Sequence, residues 1–424
     1  MNAPMDHKGH ELLALPLFDP AVLADPFAWY QAALASAPVH EVPGANMWLV
    51  LSYAAVAEAT ARVEEFSNDF STVLSGARSE QAEIKAVLEE GWPQVDTLLT
   101  ADPPVHTRFR KLVNLAFSMQ RVNAIEERMR AITAGLIEGF ADQGQCDFVR
   151  DFAIVLPVAM IAGELGLPEE DWPRVKRWSD AFADRLGHMI SFERELECAR
   201  EVVEFQHAMK DQIDRRRAQR QDDLLSDLVH ARVEGERPLE DAELLSIIQQ
   251  LMVAGNETTT SALAGGLLQL IRNPDQMSRA AAAAGGSDPK AIGNLVEEVL
   301  RTESPTSGMW RRATRDAELA GATIPAGAMV HLRYAAANRD PAKFEQPDRF
   351  DMVRANARAH LAFGRGIHMC VGNMLSRKEM AIAYDELLSR LNGFALADEA
   401  EPAWPPNMLL RGLTTLPIGF QRAQ

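Results

Sequence analysis

Cysteine is scarce in this chain. Its 424 residues hold only Cys146, Cys198 and Cys370. None belongs to a CxxC or CxxH pair, and an odd, scattered set supplies neither a disulfide framework nor a tetrahedral zinc site. A reducing cytoplasm is the expected compartment. An excess of basic charge is lacking too: the formal net charge is -17, which disfavours non-specific binding to nucleic acid or anionic lipid. Long uninterrupted apolar runs are also absent, since the longest is broken by Gln249, Gln250, Asn256 and Glu257. That argues against a membrane anchor. Met1 to Leu13 has no basic head followed by an apolar run, so no secretory signal is expected. There is no internal repeat, and Ala280 to Gly286 is the one short low-complexity run.

What is present is an ordinary globular composition. The chain is 47% hydrophobic and 24% charged, which excludes disorder and allows a core large enough to hold a cofactor. At roughly 150 residues per domain the length suggests two or three domains, a soft prior that leaves room for an undivided chain.

Hydrophobic periodicity supplies the elements. Pro26–Ala37 and Ala54–Arg62 read as helices on either side of a short apolar strand, Met47–Ser52. From His106 to Arg272 helical spacing dominates, with helices expected over Val122–Phe140, Asp151–Leu165 and Trp172–Arg185. The longest runs from Asp241 to Arg272 and is stopped by Asn273-Pro274; at 1.5 Å per residue it spans about 48 Å. Beyond Lys290 come a helix over Ala291–Arg301, strands near Glu318–Thr323 and Met329–Tyr334, and a helix over about Met374–Leu391. The tail, Pro402–Phe420, reads as turns and short strands. The fold class is mainly α with a smaller β-rich lobe.

The strongest chemical signal is Phe363-Gly364-Arg365-Gly366-Ile367-His368-Met369-Cys370-Val371-Gly372. Glycines on both sides of the cysteine permit backbone conformations that other residues resist, and so a close approach to a flat macrocycle. The helix beyond Gly372 places its positive end near Cys370, favouring thiolate over thiol. A thiolate so placed is a candidate axial ligand for haem iron. This segment resembles the haem-thiolate loop of the cytochrome P450 family, Phe-Gly-x-Gly-x-His-x-Cys-x-Gly, at every fixed position.

Other segments carry the same resemblance. Ala254-Gly255-Asn256-Glu257-Thr258 is similar to the family's oxygen-activation motif, Ala-Gly-x-Asp/Glu-Thr. There an acid and an alcohol, on a helix that a threonine back-bond can open, hand on protons. The resemblance makes Glu257 the acid and Thr258 the alcohol. Glu298-Val299-Leu300-Arg301 puts an acid and a base three apart on one helix face. Family members use this pair structurally, behind the haem. Ala337-Asn-Arg-Asp-Pro341 and Pro347-Asp-Arg-Phe350 look like the meander before the haem loop.

The resemblance covers nearly the whole chain. It implies a single cytochrome P450-like domain over residues 1–424, with about the first twenty loosely ordered, and one haem b. Arginines suit its propionates by their bidentate fork. Family-like positions for that role are His106, Arg110, Arg311 and His368, with Arg312 an open alternative to Arg311. Phe363, Gly364, Gly372 and Ala254 are expected against the macrocycle. Substrate-facing positions are expected among Leu186, Met189, Ile190, Met252, Val253, Met309, Trp310, Met408 and Leu409, an apolar, methionine-rich set.

The implied activity is monooxygenation of a small hydrophobic substrate of terpenoid, aromatic, fatty-acid-like or steroid-like character. Electrons would come from NAD(P)H through a separate reductase and an acidic ferredoxin. That ferredoxin would be steered by Arg108, Lys111, Arg121, Arg365, Arg377 and Lys378. A monomer is expected. Two other readings stand beside this one. A peroxide-driven hydroxylase of the same fold would often lack the acid–alcohol pair, and a non-catalytic haem or ligand-binding protein would need an output that the sequence does not supply.

Overall fold

The computed structural model describes residues 17, 19–70, 81–187, 190–397 and 402–423, without the side chains of 186 and 187. The expectation of loose order for the first twenty residues falls mostly outside these. Packing divides the chain into two compact units. One comprises Met1–Ser67, Arg128–Ile154 and Glu257–Gln424, the other Asn68–Glu127 and Val155–Asn256.

The first unit carries all the described strands: β1 (Val39–Val42), β2 (Met47–Val50), β3 (Phe66–Ser67), β4 (Gln145–Asp147), β5 (Met309–Ala313), β6 (Ala317–Leu319), β7 (Ala322–Ile324), β8 (Met329–Leu332), β9 (Leu391–Leu396) and β10 (Pro417–Arg422). Five form a mixed sheet in the order β1-β2-β8-β5-β3, with β2 and β8 parallel. Alternation along β2 explains its continuous apolar text. Val50 packs with Val56, Phe66, Val330 and Leu332 on one face. Leu49 packs with Trp29 and Tyr30 on the other. A strand covered on both sides needs no polar alternation.

The expected Glu318–Thr323 strand is instead a tight hairpin of β6 and β7. Ala320 (φ 49°) and Gly321 (φ 86°) turn the chain between them, the geometry that two-residue hairpins favour. The strand expected over Met329–Tyr334 stops at Leu332, because Tyr334 opens a short helix to Ala337. β5 was not anticipated as a strand.

The second unit is helical. Phe192–Ala218, capped by the Ser191 side chain, is a long helix that the sequence reading did not delimit. Its buried Cys198, Val202, Phe205, Met209 and Ile213 lie at helical spacing under a heavily charged outer surface. The helix expected over Val122–Phe140 is two, Met119–Ala124 and Glu126–Ala141, separated at Ile125 where φ is −92° and ψ 0°. Asp151–Leu165 resolves into a π-helical turn, Val149–Ala153, followed by Val155–Glu164. The longest helix runs unbroken from Asp241 to Arg272 as expected. Asn273 and Pro274 end it by starting the next helix. Among the described residues no helix is long and apolar enough to cross a membrane.

Candidate active site

The cysteine loop is set by its own backbone. Gly364 and Gly366 are left-handed, at φ 67° and 73°. A Cβ on Gly366 would also lie 2.8 Å from the carbonyl oxygen of Thr60, so no other residue fits there without displacement. The turn Gly366–His368 carries the chain round until the Cys370 amide donates to Phe363 O at 2.9 Å. The helix Asn373–Arg390 then begins with Gly372 as its cap. Gly372 corrects one expectation. Its φ of −82° and ψ of 5° are open to any residue, so conformational freedom is not what glycine supplies at that position.

Cys370 is half-buried, just before a helix N-terminus whose partial positive charge favours thiolate. The other cysteines differ. Burial, with Asp151 and Asp147 nearby, pushes the Cys146 thiol up to about 12. Burial likewise pushes Cys198 up to about 11. Both remain thiols.

Behind the loop, the helix Pro289–Glu303 presents two adjacent acids to two networks. Glu298 takes Arg301 Nε and Nη2 at 2.8 Å each, and neither side chain has any exposure. Arg354 Nε reaches the same carboxylate at 3.1 and 3.2 Å, and the Asp351 amide donates to it at 2.9 Å. Arg301 continues to the carbonyls of Asn338 and Pro347, binding the meander to the helix. Every charge here is matched by a charge-assisted hydrogen bond, which a buried pair requires.

Glu297 faces the cysteine loop. It accepts from His360 Nε2 at 2.9 Å and from Arg377 Nε at 2.7 Å. Burial alone would raise this carboxyl; its two partners outweigh that and hold it down to about 2. His360 is lowered chiefly by burial, against the attraction of Glu297. A neutral ring explains both contacts of His360, because its Nδ1 accepts the Ala362 amide at 3.1 Å. The sequence reading missed Glu297, His360 and Arg354. The first two stand beside recognised motifs, the acid before Glu298 and the histidine three positions before Phe363.

On the long helix, Ala254 and Gly255 are exposed and Glu257 and Thr258 half-buried, while residues 251–253, 256, 259 and 260 are buried. An accessible strip through Ala254, Thr258 and Ser261 follows the helical repeat. The expected opening of the helix does not interrupt its α-structure. A back-bond is present from Ser261 Oγ to Glu257 O at 2.7 Å.

The candidate propionate partners are divided between the units. His106 and Arg110 lie one turn apart on the helix Val105–Ala116. His106 is buried and its pKa lowered, first by burial and then by the charge of Arg110. In the first unit, alternation along β5 buries Arg311 and exposes Arg312, so Arg311 alone points inward. His368 is half-buried in the loop turn.

The substrate-facing expectations separate. Met252 and Val253 are buried. Met309 packs against the Val50–Phe66 cluster, whereas Trp310 faces the opposite side of β5, its ring edge-on to His331 at 4.3 Å. Met309 and Trp310 therefore do not share one surface. Met408 packs against the Trp29–Leu49 cluster. Ile190 and Leu409 are half-buried. The Leu186 side chain and all of Met189 lie outside the described residues.

The expected basic docking set is reduced. Arg108 is bound bidentately by Glu243 at 2.9 and 3.2 Å and Arg377 by Glu297, while Arg121 donates through Nε and Nη2 to one oxygen of Asp227 at 3.1 and 2.8 Å. These three charges are neutralised inside their own units. Lys111 and Arg365 stay exposed, and Lys378 is half-buried.

Comparison with known proteins agrees with this geometry. The sequence profile described as Cytochrome P450 matches residues 164–284 and 290–420. The chain is 36% identical over 408 residues to cytochrome P450 monooxygenase PikC of Streptomyces venezuelae, covering 95% of this chain and 92% of that one. It is 35% identical to 6-deoxyerythronolide B hydroxylase of Saccharopolyspora erythraea, covering 93% and 96%. The solved structure of CYP109Q5 from Chondromyces apiculatus superposes with a TM-score of 0.84 at 31% identity, over 96% of this chain and 98% of that one. Members of this family bind haem b through a cysteine thiolate and hydroxylate hydrophobic substrates. With a profile match over more than half its length and relatives aligned almost end to end, the chain belongs to the cytochrome P450 family and is a P450 monooxygenase.

Proposed function

We propose that Cys370 is the thiolate that holds the haem, and that the chain works as a single-domain, monomeric, cytoplasmic hydroxylase of a small hydrophobic substrate. The observation that carries this is the cysteine loop. Two left-handed glycines, an amide tied back to Phe363 and a helix N-terminus together present one half-buried sulfur. That donor set would suit a flat macrocycle whose iron takes a soft sulfur donor: it offers one thiol, an exposed turn, and a glycine that no Cβ can replace. When bound, haem supplies the iron at which dioxygen is activated.

The chain's own residues do the rest. His106, Arg110, Arg311 and His368 are the proposed propionate partners, with Arg311 preferred to Arg312 because it is the buried one. Phe363, Gly364, Gly372 and Ala254 are the proposed neighbours of the macrocycle. The Glu257 carboxylate and Thr258 Oγ1, on the accessible strip of the long helix, are the groups proposed to hold and move protons. Glu298 and Arg301 serve structurally.

The printed names of relatives support a hydrophobic substrate: steroid C26-monooxygenase of Mycobacterium tuberculosis and vitamin D(3) 25-hydroxylase of Pseudonocardia autotrophica. A related structure holds testosterone. A steroid-like or similarly extended hydrocarbon skeleton is the substrate class proposed. Electrons are proposed to come from NAD(P)H through a reductase and an acidic ferredoxin.

Replacing Cys370 by Ser should abolish the thiolate Soret band of the ferrous–carbon monoxide complex and all hydroxylation. Retention of both would refute the assignment. A panel of ligand-induced Soret shifts tests the substrate class, and tightest binding by small, highly charged compounds would overturn it.

A further inference from the structure

We infer that Glu297 is a positioning residue for the cysteine ligand, acting through Arg377 and His360; this rests on the assignment of Cys370 above. The geometry forms a closed circuit around the loop. From Glu297, Arg377 is held through Nε at 2.7 Å and Nη2 at 3.2 Å. The same guanidinium donates to Asn373 Oδ1 at 2.9 Å, and Asn373 Nδ2 donates to the Cys370 carbonyl at 2.7 Å. It also lies over the Phe363 ring, 4.4 Å from the centroid. Phe363 in turn accepts the Cys370 amide through its carbonyl.

The second arm closes on the same ring. His360, bound to Oε2 of the same carboxylate at 2.9 Å, sits 5.8 Å from Phe363, centroid to centroid. Both backbone polar groups of Cys370 are thus fixed by partners that lead back to Glu297. Neutralisation is the second role of this acid. Glu297 cancels a guanidinium at the start of the cysteine helix's second turn, so its removal would expose a positive charge to the thiolate. A bare cation there withdraws electron density from sulfur and favours the reduced haem, as neighbouring groups do at metal sites generally.

The experiment uses the haem-loaded full chain. Glu297→Gln keeps the shape and removes the charge. It should raise the reduction potential of the bound haem and move part of the ferrous–carbon monoxide Soret band from the thiolate to the thiol position. The double variant Glu297→Gln/Arg377→Gln should return the potential towards the wild-type value while the band stays mixed, because the stray charge is gone but the circuit remains open. Arg377→Gln alone, which leaves Glu297 on His360, provides a second variant if Glu297→Gln fails to fold.

Unchanged potential and band in both single variants, with only a lower urea midpoint, would reduce Glu297 to a structural residue and overturn the inference. Failure of the underlying assignment looks different. In that case Cys370→Ser would leave the wild-type band in place, whatever the Glu297 variants do.

Discussion

Glu257 and Thr258 are half-buried on an accessible strip of the long helix, so their substitution should alter chemistry without collapsing the fold. Glu257→Gln is expected to slow substrate oxidation on the order of 100-fold, the usual weight of a single acid–base group. Thr258→Val should leave NAD(P)H consumption running while less of it appears as product. The check is product formed per NAD(P)H oxidised; equal coupling in all three proteins would remove the pair from the mechanism. A different residue-scale effect belongs to Glu297 and His360. Both have depressed pKa values, so the stability they contribute is present above their unfolded pKa values and is lost on acidification. For His360 the loss starts as pH falls below 6.5, and for Glu297 it runs from 4.5 down to about 2. Urea midpoints of the wild type should therefore fall with pH across this window. The fall should be shallower in His360→Gln, and equal slopes would contradict the geometry. Cys370 was readable in the sequence because its loop concentrates six specified positions in ten. Glu297 was not, because its role depends on Arg377 and His360, residues 80 and 63 positions distant, and nothing in a linear pattern announces such a meeting.

At the scale of elements, the helix Pro289–Glu303 and the helix Asn373–Arg390 both bury charge in the first unit. The Glu298–Arg301 pair reads on paper as a common surface ion pair, worth little; its environment gives it a different weight. Arg301→Lys cannot satisfy the carboxylate and the carbonyls of Asn338, Pro347 and Arg349 with one ammonium. It should cost about 3–5 kcal/mol, the range for breaking a buried pair, seen as a lower urea midpoint and weaker haem retention. Glu379, on the cysteine helix, makes the opposite case. It is buried and raised to about 8 by desolvation, and among the described residues its Oε1 has no hydrogen-bond partner. Folding then favours the protonated acid, and stability is lost as pH rises from 4.5 towards 8. Glu379→Gln should raise the melting temperature progressively across that interval and change little below it; a pH-independent difference would mean the carboxyl is not protonated in the fold. Element boundaries were legible where the chain forbids continuation, as Pro274 ends the long helix. They were illegible where a turn is only two residues wide, as at Ala320-Gly321, or where a helix shows solvent mostly charge, as Phe192–Ala218 does.

At the scale of the molecule, the sequence conveyed the family and the helical class but not the division into two compact units. The reason is physical. Two of the boundaries, Ile154/Val155 and Asn256/Glu257, fall in helical chain, where no glycine- or proline-rich linker marks a change of unit. Burial likewise decides which charges are available to a redox partner. A guanidinium already shared with a carboxylate gains little from a second acidic surface, and reversing it leaves two like charges packed together. Arg108→Glu and Arg121→Glu are therefore expected to destabilise the second unit through Glu243 and Asp227, lowering the urea midpoint whether or not a ferredoxin is present. Arg365→Glu, on an exposed side chain of the cysteine loop, should leave that midpoint unchanged. Instead it should slow reduction by an acidic ferredoxin and flatten the ionic-strength dependence of the rate, since exposed charges act through a screening length of about 10 Å at 0.1 M salt. Reduction rates measured across a salt series for the three variants, beside their urea curves, separate the two effects. If Arg365→Glu kept the wild-type rate and salt slope, the ferredoxin would have to dock without using the exposed charge of the cysteine loop.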